Sequence, residues 1–262
     1  MSAFAGRLLA GFQALPFEWG RGRRWCIRQL RRRGAFPVTT QVFGHAITLH
    51  DDNTSERKFL VQPRVYNRRE WRFLVRRLPW DGGVFVDIGA NAGLYAFAVA
   101  AHTGPHTRIL CLEPNPLLTA RIAANLRDVA GDATGRGRLI IDPRAVGDRN
   151  GRARLAVDRG LGAAGLTEDS TGLEVEVATL TTILDDHDVT APDALKIDVE
   201  GFEDRALLPF FADAPPERWP RAMVVEHCNR ANWRDDLAGE LRRLGYVERG
   251  RTRNNLLLDR SR

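Results

Sequence analysis

The stretch "VFVDIGANAGLYAFAVA", Val84–Ala100, decides the fold, because it predicts a buried strand, a glycine-bearing turn and a helix in direct succession. In open α/β sheets such a turn lies at the carboxyl end of a strand, where ligands bind. A dinucleotide-binding turn has the pattern GxGxxG, in which the middle glycine lets the backbone approach a pyrophosphate. Asn91 occupies that middle position here. The stretch therefore predicts a cofactor-binding turn and argues against an NAD-dependent oxidoreductase.

The residues of this turn indicate a cofactor that carries positive charge. Asp87 lies two residues before Gly89, and a carboxylate repels a pyrophosphate but attracts an ammonium or sulfonium group. S-adenosylmethionine has both of these cations and no phosphate. We expect Gly89 and Gly93 to let the backbone approach its methionine moiety, and Asp87 to contact its amino group. With Asn91 from the same turn, these residues form the predicted cofactor site.

Two further acids are predicted at the ends of the next strands. Glu113, in "CLEPNP", is positioned to accept hydrogen bonds from the ribose hydroxyls of a nucleotide-type cofactor. Asp142, in "DPR", is expected to meet the adenine amino group, although the same tripeptide is typical of an ordinary turn. Together with the glycine turn, these acids predict one binding crevice.

Predicted strands and helices alternate from residue 84 onward, which indicates a doubly wound, mostly parallel sheet covered by helices on both faces. The last predicted strand, "NNLLLDR", is expected to run antiparallel. The stretch "RAVGDRNGRARLAV" predicts a turn and hairpin, and a glycine-rich loop follows at residues 160–165. We expect residues 1–66 to form a basic helical segment and a β-hairpin around Gly44, and residues 67–262 to form the cofactor-binding domain.

The composition is that of a globular protein with a basic N-terminal region. The chain has 262 residues, 44% of them hydrophobic, and a net charge of +6. Its three cysteines are far apart and form no CxxC pair, which argues against a zinc site and favours a reducing compartment. Residues 1–33 hold eight arginines against a single acid, Glu18. This region predicts peripheral contact with an anionic membrane surface, unless it is simply a solvated helical face.

No apolar run approaches the ~20 residues of a membrane span. The first residues also make a poor secretory signal, because no basic residue precedes their apolar segment and Arg7 interrupts it. We therefore expect a cytoplasmic protein, with the inner face of the membrane as the place of any peripheral contact.

Two segments, "KIDVEGFE" and "VVEHC", are expected to bring their strand ends to the reacting group. Acids that cluster at neighbouring strand ends raise one another's pKa values or hold a cation. The predicted catalytic residues are Asp198, Glu200, Glu226 and His227. His227 is the natural general base, unless it only bonds a backbone carbonyl. Asp198 and Glu226 are the expected ligands if Mg²⁺ is required. Glu203 is expected to begin the next helix, and Lys196 to pair with an acid.

Four motifs in this order, "VDIGANAG", "LEPNP", "AVGDRNGRARL" and "LKIDVEGFE", resemble the FkbM-type S-adenosylmethionine-dependent methyltransferases. The resemblance extends from about Glu70 to about His227. It implies a class I methyltransferase fold and methyl transfer to a hydroxyl group of a small molecule, sugar or glycan. One departure is that the usual Leu-Asp pair reads Leu180-Thr181 here, and threonine can still cap a helix.

Three functions remain open at this point. The expected one is O-methylation of a small molecule or carbohydrate, including a glycolipid. The basic charge suggests a nucleic-acid methyltransferase, but the chain has no RNA-binding module and no Asn-Pro-Pro-aromatic motif after the fourth core strand. A non-catalytic binding subunit with the same fold is the third reading, and the acids at the strand ends argue against it.

Overall fold

The computed structural model describes residues 3–15, 20–130, 138–157, 161, 164–167 and 172–260. The chain divides into two compact units, one extending to Arg68 and the other containing residues 69–157 and 164–260. Each unit has its own secondary structure and its own buried residues.

The N-terminal unit combines helices with a hairpin. Its elements are helices α1 (Ala3–Gln13), α2 (Gly20–Arg32) and α3 (Thr54–Val61), and strands β1 (Val38–Val42) and β2 (His45–Leu49). Val42 pairs with His45 across the turn at Gly44, so the predicted hairpin is confirmed. Helix α3 was not predicted, because its buried apolar residues are consecutive and show no helical period. The sequence signal for α3 is Asn53, whose side chain accepts from Ser55 N at 2.8 Å as an N-cap.

The second unit is built on a seven-stranded sheet. Its first half consists of α4 (Arg68–Val75), β3 (Val84–Ile88), α5 (Leu94–Ala100), β4 (Arg108–Leu112), α6 (Pro116–Ala130) and β5 (Leu139–Asp142). A smaller sheet follows, with strands β6 (Ala145–Val146), β7 (Gly151–Val157), β8 (Ala164–Thr167) and β9 (Leu173–Ala178). The remaining elements are α7 (Leu180–Asp186), β10 (Ala194–Ile197), α8 (Glu203–Asp213), β11 (Ala222–Glu226), α9 (Leu237–Arg243), β12 (Val247–Arg251) and β13 (Asn255–Asp259).

The strand order of the main sheet is β12-β13-β11-β10-β3-β4-β5. Strands β11, β10, β3, β4 and β5 are parallel, and β13 runs antiparallel to β11. This confirms the doubly wound α/β fold with its antiparallel C-terminal strand. Strand β12 was not predicted, because its sequence VERGR is almost fully exposed and lacks an apolar alternation. The chain builds outward from β3 through β4 and β5, then returns to β10 on the other side, so strand order reverses between β3 and β10.

The smaller sheet, in the order β6-β9-β7-β8, replaces the hairpin expected within residues 144–157. Strand β7 pairs with β8 and β9, whereas β6 pairs with β9. Of the expected glycine-rich loop, Ala164 and Gly165 belong to β8, while residues 160 and 162–163 lie outside the described residues. Three side chains, Ala145, Leu155 and Val175, form the small core of this sheet.

Helix α7 is capped by Thr179, whose hydroxyl accepts from Thr182 N. The sequence had suggested Thr181 for this role. Thr181 instead lies inside the helix, and its Oγ1 is buried without a hydrogen-bond partner among the described residues. Within the described part of the chain, no helix combines the length and the apolar character needed to cross a bilayer.

Candidate active site

The glycine turn after β3 touches the end of β10. Gly89 has φ +68°, and a Cβ atom there would lie 2.0 Å from the backbone oxygen of Asp198. No side chain fits in that space, so glycine is required by both conformation and contact. Gly93 also has positive φ, +74°, and lies against Ile122 of α6, which a Cβ would approach to 3.2 Å. The turn is thus fixed to its surroundings through its backbone.

Asn91 and Glu113 join the turn to the end of β4. Asn91 adopts φ +55°, and its backbone N–H donates to Glu113 Oε2 at 2.8 Å. The backbone N–H of Asn115 donates to Oε1 of the same carboxylate at 2.9 Å. Burial raises the pKa of Glu113 to about 7, although both of these hydrogen bonds favour the charged form. Each oxygen keeps lone pairs that can accept a hydroxyl hydrogen.

Asp87 is fully buried at the centre of the sheet. It lies opposite Lys196 in the β3–β10 register, and Lys196 Nζ is 3.2 Å from Asp87 Oδ1. The predicted pairing of Lys196 with an acid is confirmed. Burial raises the pKa of Asp87 against the opposing effect of this ammonium. Lys196 Nζ also donates to the backbone oxygen of Gly89 at 2.6 Å, so the ion pair supports the glycine turn from below.

Asp142 lies at the end of β5, where the sequence had placed it, but its oxygens are already engaged. They accept from the Arg144 guanidinium, at 2.6 Å for the shortest contact, and lie 2.8 Å from His187 Nε2. Burial would raise the pKa of Asp142, but the hydrogen bonds from Arg144 and His187 outweigh it and lower the pKa. Little acceptor capacity is left for an adenine amino group, so that contact stays a prediction.

Three acids meet at the ends of β10 and β11. Asp198 and Glu200 follow β10, and Glu226 ends β11. Asn229 bridges two of them, because its Nδ2 donates to Glu200 Oε2 at 2.7 Å and to Glu226 Oε2 at 3.4 Å. Glu200 adopts φ +56°, an uncommon conformation for a non-glycine residue, which turns the chain sharply at this point. The structure therefore brings together three of the four predicted catalytic residues.

These acids perturb one another. Burial, and then the nearby charges of Asp198 and Glu203, raise the pKa of Glu200 to about 7. Burial and the Asp198 carboxyl also raise the pKa of Glu226, against a hydrogen bond from Cys228 Sγ at 3.0 Å. A carboxylate with a pKa near neutrality can take a proton efficiently at the pH of a cell. Asn229 and Cys228 were not among the predicted site residues, and their only signal in the sequence is that they follow "VVEH".

His227 does not join the three acids. Successive side chains at the end of a strand point to opposite sides, and the His227 ring lines a separate cleft with Arg230 and Trp233. The lining of that cleft does not include Asp198, Glu200 or Glu226. The backbone N–H of His227 donates to Asn254 O at 2.8 Å. The geometry therefore does not support His227 as the general base.

Glu203 begins α8, as the sequence predicted. Its Oε1 accepts from the backbone N–H groups of Val199 and Gly201 at 2.9 and 3.3 Å. Its Oε2 accepts from the indole N–H of Trp233 at 2.7 Å. Glu203 therefore holds the turn that carries Glu200.

The predicted Mg²⁺ site gains no support from the geometry. Among the described residues, no group of three or more His, Cys, Asp and Glu side chains is arranged to hold a metal ion. Asp198 lies near Glu226, and burial together with the negative charge of Asp198 raises the pKa of Glu226.

The crevice fits S-adenosylmethionine on two observations. Gly89 and Gly93, with φ +68° and +74°, hold the turn after β3 against the end of β10 and against α6, at the carboxyl edge of the sheet where cofactors bind. Acids also line both sides of the reversal in strand order, with Glu113 on one side and Asp198 on the other. Glu113 suits the ribose hydroxyls of that cofactor.

Comparisons with known proteins show the family of the chain. Residues 87–248 match the Methyltransferase FkbM domain. The chain is 30% identical over 216 residues to 31-O-demethyl-FK506 methyltransferase FkbM of Streptomyces tacrolimicus, covering 72% of this chain and 80% of that protein.

Two solved structures are also similar. Methyltransferase FkbM from Methylobacillus flagellatus is 16% identical with a TM-score of 0.47, covering 92% of this chain and 71% of that one. A methyltransferase from Geobacter sulfurreducens is 12% identical with a TM-score of 0.47, covering 100% and 98%. The family match and the S. tacrolimicus relative, together with the glycine turn and its acids, identify the chain as a member of the FkbM family of S-adenosylmethionine-dependent methyltransferases.

Proposed function

We propose that this protein transfers the methyl group of S-adenosylmethionine to a hydroxyl group of a small molecule, sugar or glycan. The observation that carries the proposal is the meeting of Asp198, Glu200 and Glu226 at the edge where strand order reverses. The name of the S. tacrolimicus relative, a 31-O-demethyl-FK506 methyltransferase, supports oxygen as the accepting atom.

The cofactor would be held by the glycine turn and by Glu113. The glycine turn lies at the carboxyl edge of the sheet, and Glu113, fixed by the backbone of Asn91 and Asn115, would accept the ribose hydroxyls. Asp87 is fully buried and paired with Lys196, so it would support the glycine turn from within the sheet and not contact the cofactor's amino group as the sequence predicted. S-adenosylmethionine supplies an electrophilic methyl group, which leaves its sulfur as a new oxygen–carbon bond forms.

The protein's remaining tasks are to orient the acceptor hydroxyl and to take its proton. Glu200 is suited to accept that proton, because its pKa is about 7 and its carboxylate is held by Asn229. Glu226 offers a second proton acceptor, because burial and the negative charge of Asp198 raise the pKa of Glu226. Turnover is therefore expected to rise as pH increases through about 7, since the base must be ionised.

The test is to incubate the purified protein with S-adenosylmethionine labelled on the methyl group and a fractionated bacterial extract, with Mg²⁺ or with a chelator. Label in glycan, glycolipid or small-molecule fractions supports the proposal. Label in nucleic acid contradicts it. Cofactor binding without label in any fraction favours a non-catalytic subunit. If the labelling of a glycan, glycolipid or small molecule requires Mg²⁺, the predicted metal site would be supported.

Three variants separate the two halves of the site. Glu113→Ala should weaken S-adenosylmethionine binding, because the carboxylate oxygens that would accept hydrogen bonds from the ribose hydroxyls are lost. Asp198→Asn and Glu226→Gln should leave that binding intact and abolish turnover. Unchanged cofactor affinity in Glu113→Ala would show that the ribose assignment is wrong.

We also propose that helix α2 rests on an anionic membrane surface. Arg21, Arg24, Trp25, Arg28 and Arg32 recur at helical spacing on one face of α2. All five are exposed, with Trp25 at 45%, and none of the four arginines has an ion-pair partner among the described residues. A basic face with a central tryptophan suits the headgroup region of a bilayer.

Cosedimentation with vesicles tests this surface. The double variant Arg24→Gln/Arg28→Gln should bind phosphatidylserine vesicles about 25-fold more weakly, since each arginine contributes about 1 kcal/mol near such a surface. Arg64→Gln/Arg68→Gln, which removes two exposed charges outside α2, is the matched control. Equal loss in both variants, or equal binding to neutral vesicles, would contradict a specific α2 surface.

A further inference from the structure

The cleft that contains His227 has a strongly basic lining. It measures about 560 Å³ and lies between the loop after β11, helix α9 and strand β12. Its charged lining consists of four arginines, Arg230, Arg234, Arg242 and Arg251, and two aspartates, Asp235 and Asp236. The catalytic acids are not part of it.

The arginines of this lining outnumber its acids, four to two. Arg251 pairs with Glu248 at 2.9 Å, but Arg230, Arg234 and Arg242 have no ion-pair partner among the described residues. Asp236 caps the N-terminus of α9, because its Oδ1 accepts from Gly239 N at 2.9 Å. Like charges that converge in a cleft repel one another until an anion enters.

The cleft also offers groups that a sugar phosphate would use. The guanidinium fork matches the geometry of phosphate oxygens better than that of a point anion. The Trp233 ring is held by its N–H bond to Glu203 and presents an aromatic wall.

One loop connects this cleft to the catalytic acids. Glu226 and His227 are consecutive, and Asn229, which bridges Glu200 and Glu226, directly precedes Arg230. In this loop, the Asn229 side chain bridges the acids, whereas His227 and Arg230 line the cleft. A ligand anchored in the cleft lies at the same carboxyl edge of the sheet as the acids.

We propose that this cleft binds the phosphate group of the methyl acceptor, which is a phosphorylated carbohydrate. The identification of this ligand as the methyl acceptor rests on the proposed O-methyl transfer. The binding of a sugar phosphate rests on the cleft alone. Arg230, Arg234 and Arg242 bind the phosphate, and Trp233 packs against the sugar.

Calorimetric titration with glucose 1-phosphate at low salt tests the binding. Glucose 1-phosphate should bind more tightly than inorganic phosphate, and glucose should not bind measurably. Arg242→Gln should weaken binding about tenfold, whereas Arg243→Gln, its neighbour outside the lining, should not. Equal affinity for inorganic phosphate, or equal effects of the two variants, would overturn the proposal, as would tighter binding of a single-stranded oligonucleotide.

A second arm links the cleft to turnover. Treating the extract with a phosphatase before the methyl-label assay should remove the labelled acceptor, and Arg230→Gln should raise the KM for the acceptor with unchanged S-adenosylmethionine affinity. Labelling that survives the phosphatase would overturn the acceptor assignment. If nothing is labelled in any extract, the proposed function fails, and the calorimetric arm still decides whether the cleft binds a sugar phosphate.

Discussion

Removing the buried cation beneath the glycine turn should strongly destabilise the protein. In Lys196→Met, an apolar side chain of similar length leaves Asp87 without its counter-ion. The two side chains are only 5% and 0% exposed, so solvent screens the lost attraction very little. Breaking a buried ion pair by deleting one partner costs about 3–5 kcal/mol. For a chain of this size, the melting temperature should fall by roughly 6–20 °C.

The pH dependence of this loss has a defined sign. Burial already raises the pKa of Asp87 in the folded protein, and removal of Lys196 should raise it further. A group whose folded pKa is raised stabilises the fold at low pH and loses that contribution as pH rises through the folded pKa. The deficit of Lys196→Met should therefore shrink as the pH is lowered from neutrality.

Calorimetric melting of four proteins measures the effect. Asp87→Asn/Lys196→Met should recover most of the stability lost in Lys196→Met, because no charge remains buried. Lys58→Met, which changes the only other lysine in the chain, serves as the control and should melt close to the wild type. A loss below about 1 kcal/mol in Lys196→Met, or a double variant no more stable than the single one, would refute the reasoning.

Three further predictions concern the turn, the acids and a helix cap. Gly89→Ala should unfold the cofactor turn and abolish S-adenosylmethionine binding, because the new Cβ would lie 2.0 Å from a backbone oxygen. Gly245 also has positive φ, but nothing lies within 4 Å of its Cβ position, so Gly245→Ala should lower the free energy of unfolding in urea by only about 1 kcal/mol. Glu200→Gln should flatten the fall in melting temperature between pH 5 and 8, because ionisation of this raised carboxyl destabilises the fold as pH passes its pKa of about 7; an unchanged slope would count against the raised pKa. Thr179→Ala should lose about 1 kcal/mol of unfolding free energy as a cap, whereas Thr181→Val should lose none, and the reverse order would contradict the cap assignment.

The parts of the fold that the sequence predicts well are those with continuous apolar strands and distinct turn residues. Strands β3, β4, β10 and β11 are runs of buried apolar residues with an acid in their last residues or directly after them, so their positions and ends can be deduced from the sequence. The smaller sheet is different. Its strands alternate charged and apolar residues over short spans, and β6 pairs with a distant strand, which local pattern cannot reveal.

The candidate site also has residues that the sequence predicts and residues that it does not. The acids at the strand ends are predictable, because parallel strands bring their carboxyl ends to one edge. Whether a neighbouring residue joins them depends on side-chain direction, which separates His227 from Glu226 although they are adjacent in sequence. Asn229 and Cys228 contact the acids through a loop conformation that sequence spacing does not specify.

The contact between Gly89 and the Asp198 carbonyl has a consequence for engineering. Because the two backbones meet with no room for even a methyl group, the proposed donor-binding side and the proposed proton-accepting side of the crevice are joined through this contact. A change that shifts the backbone at Asp198 will displace the glycine turn as well, so redesign for a new acceptor would alter donor affinity whenever it reaches that residue. Libraries that hold these two backbone positions fixed can vary the acceptor side without weakening the donor site.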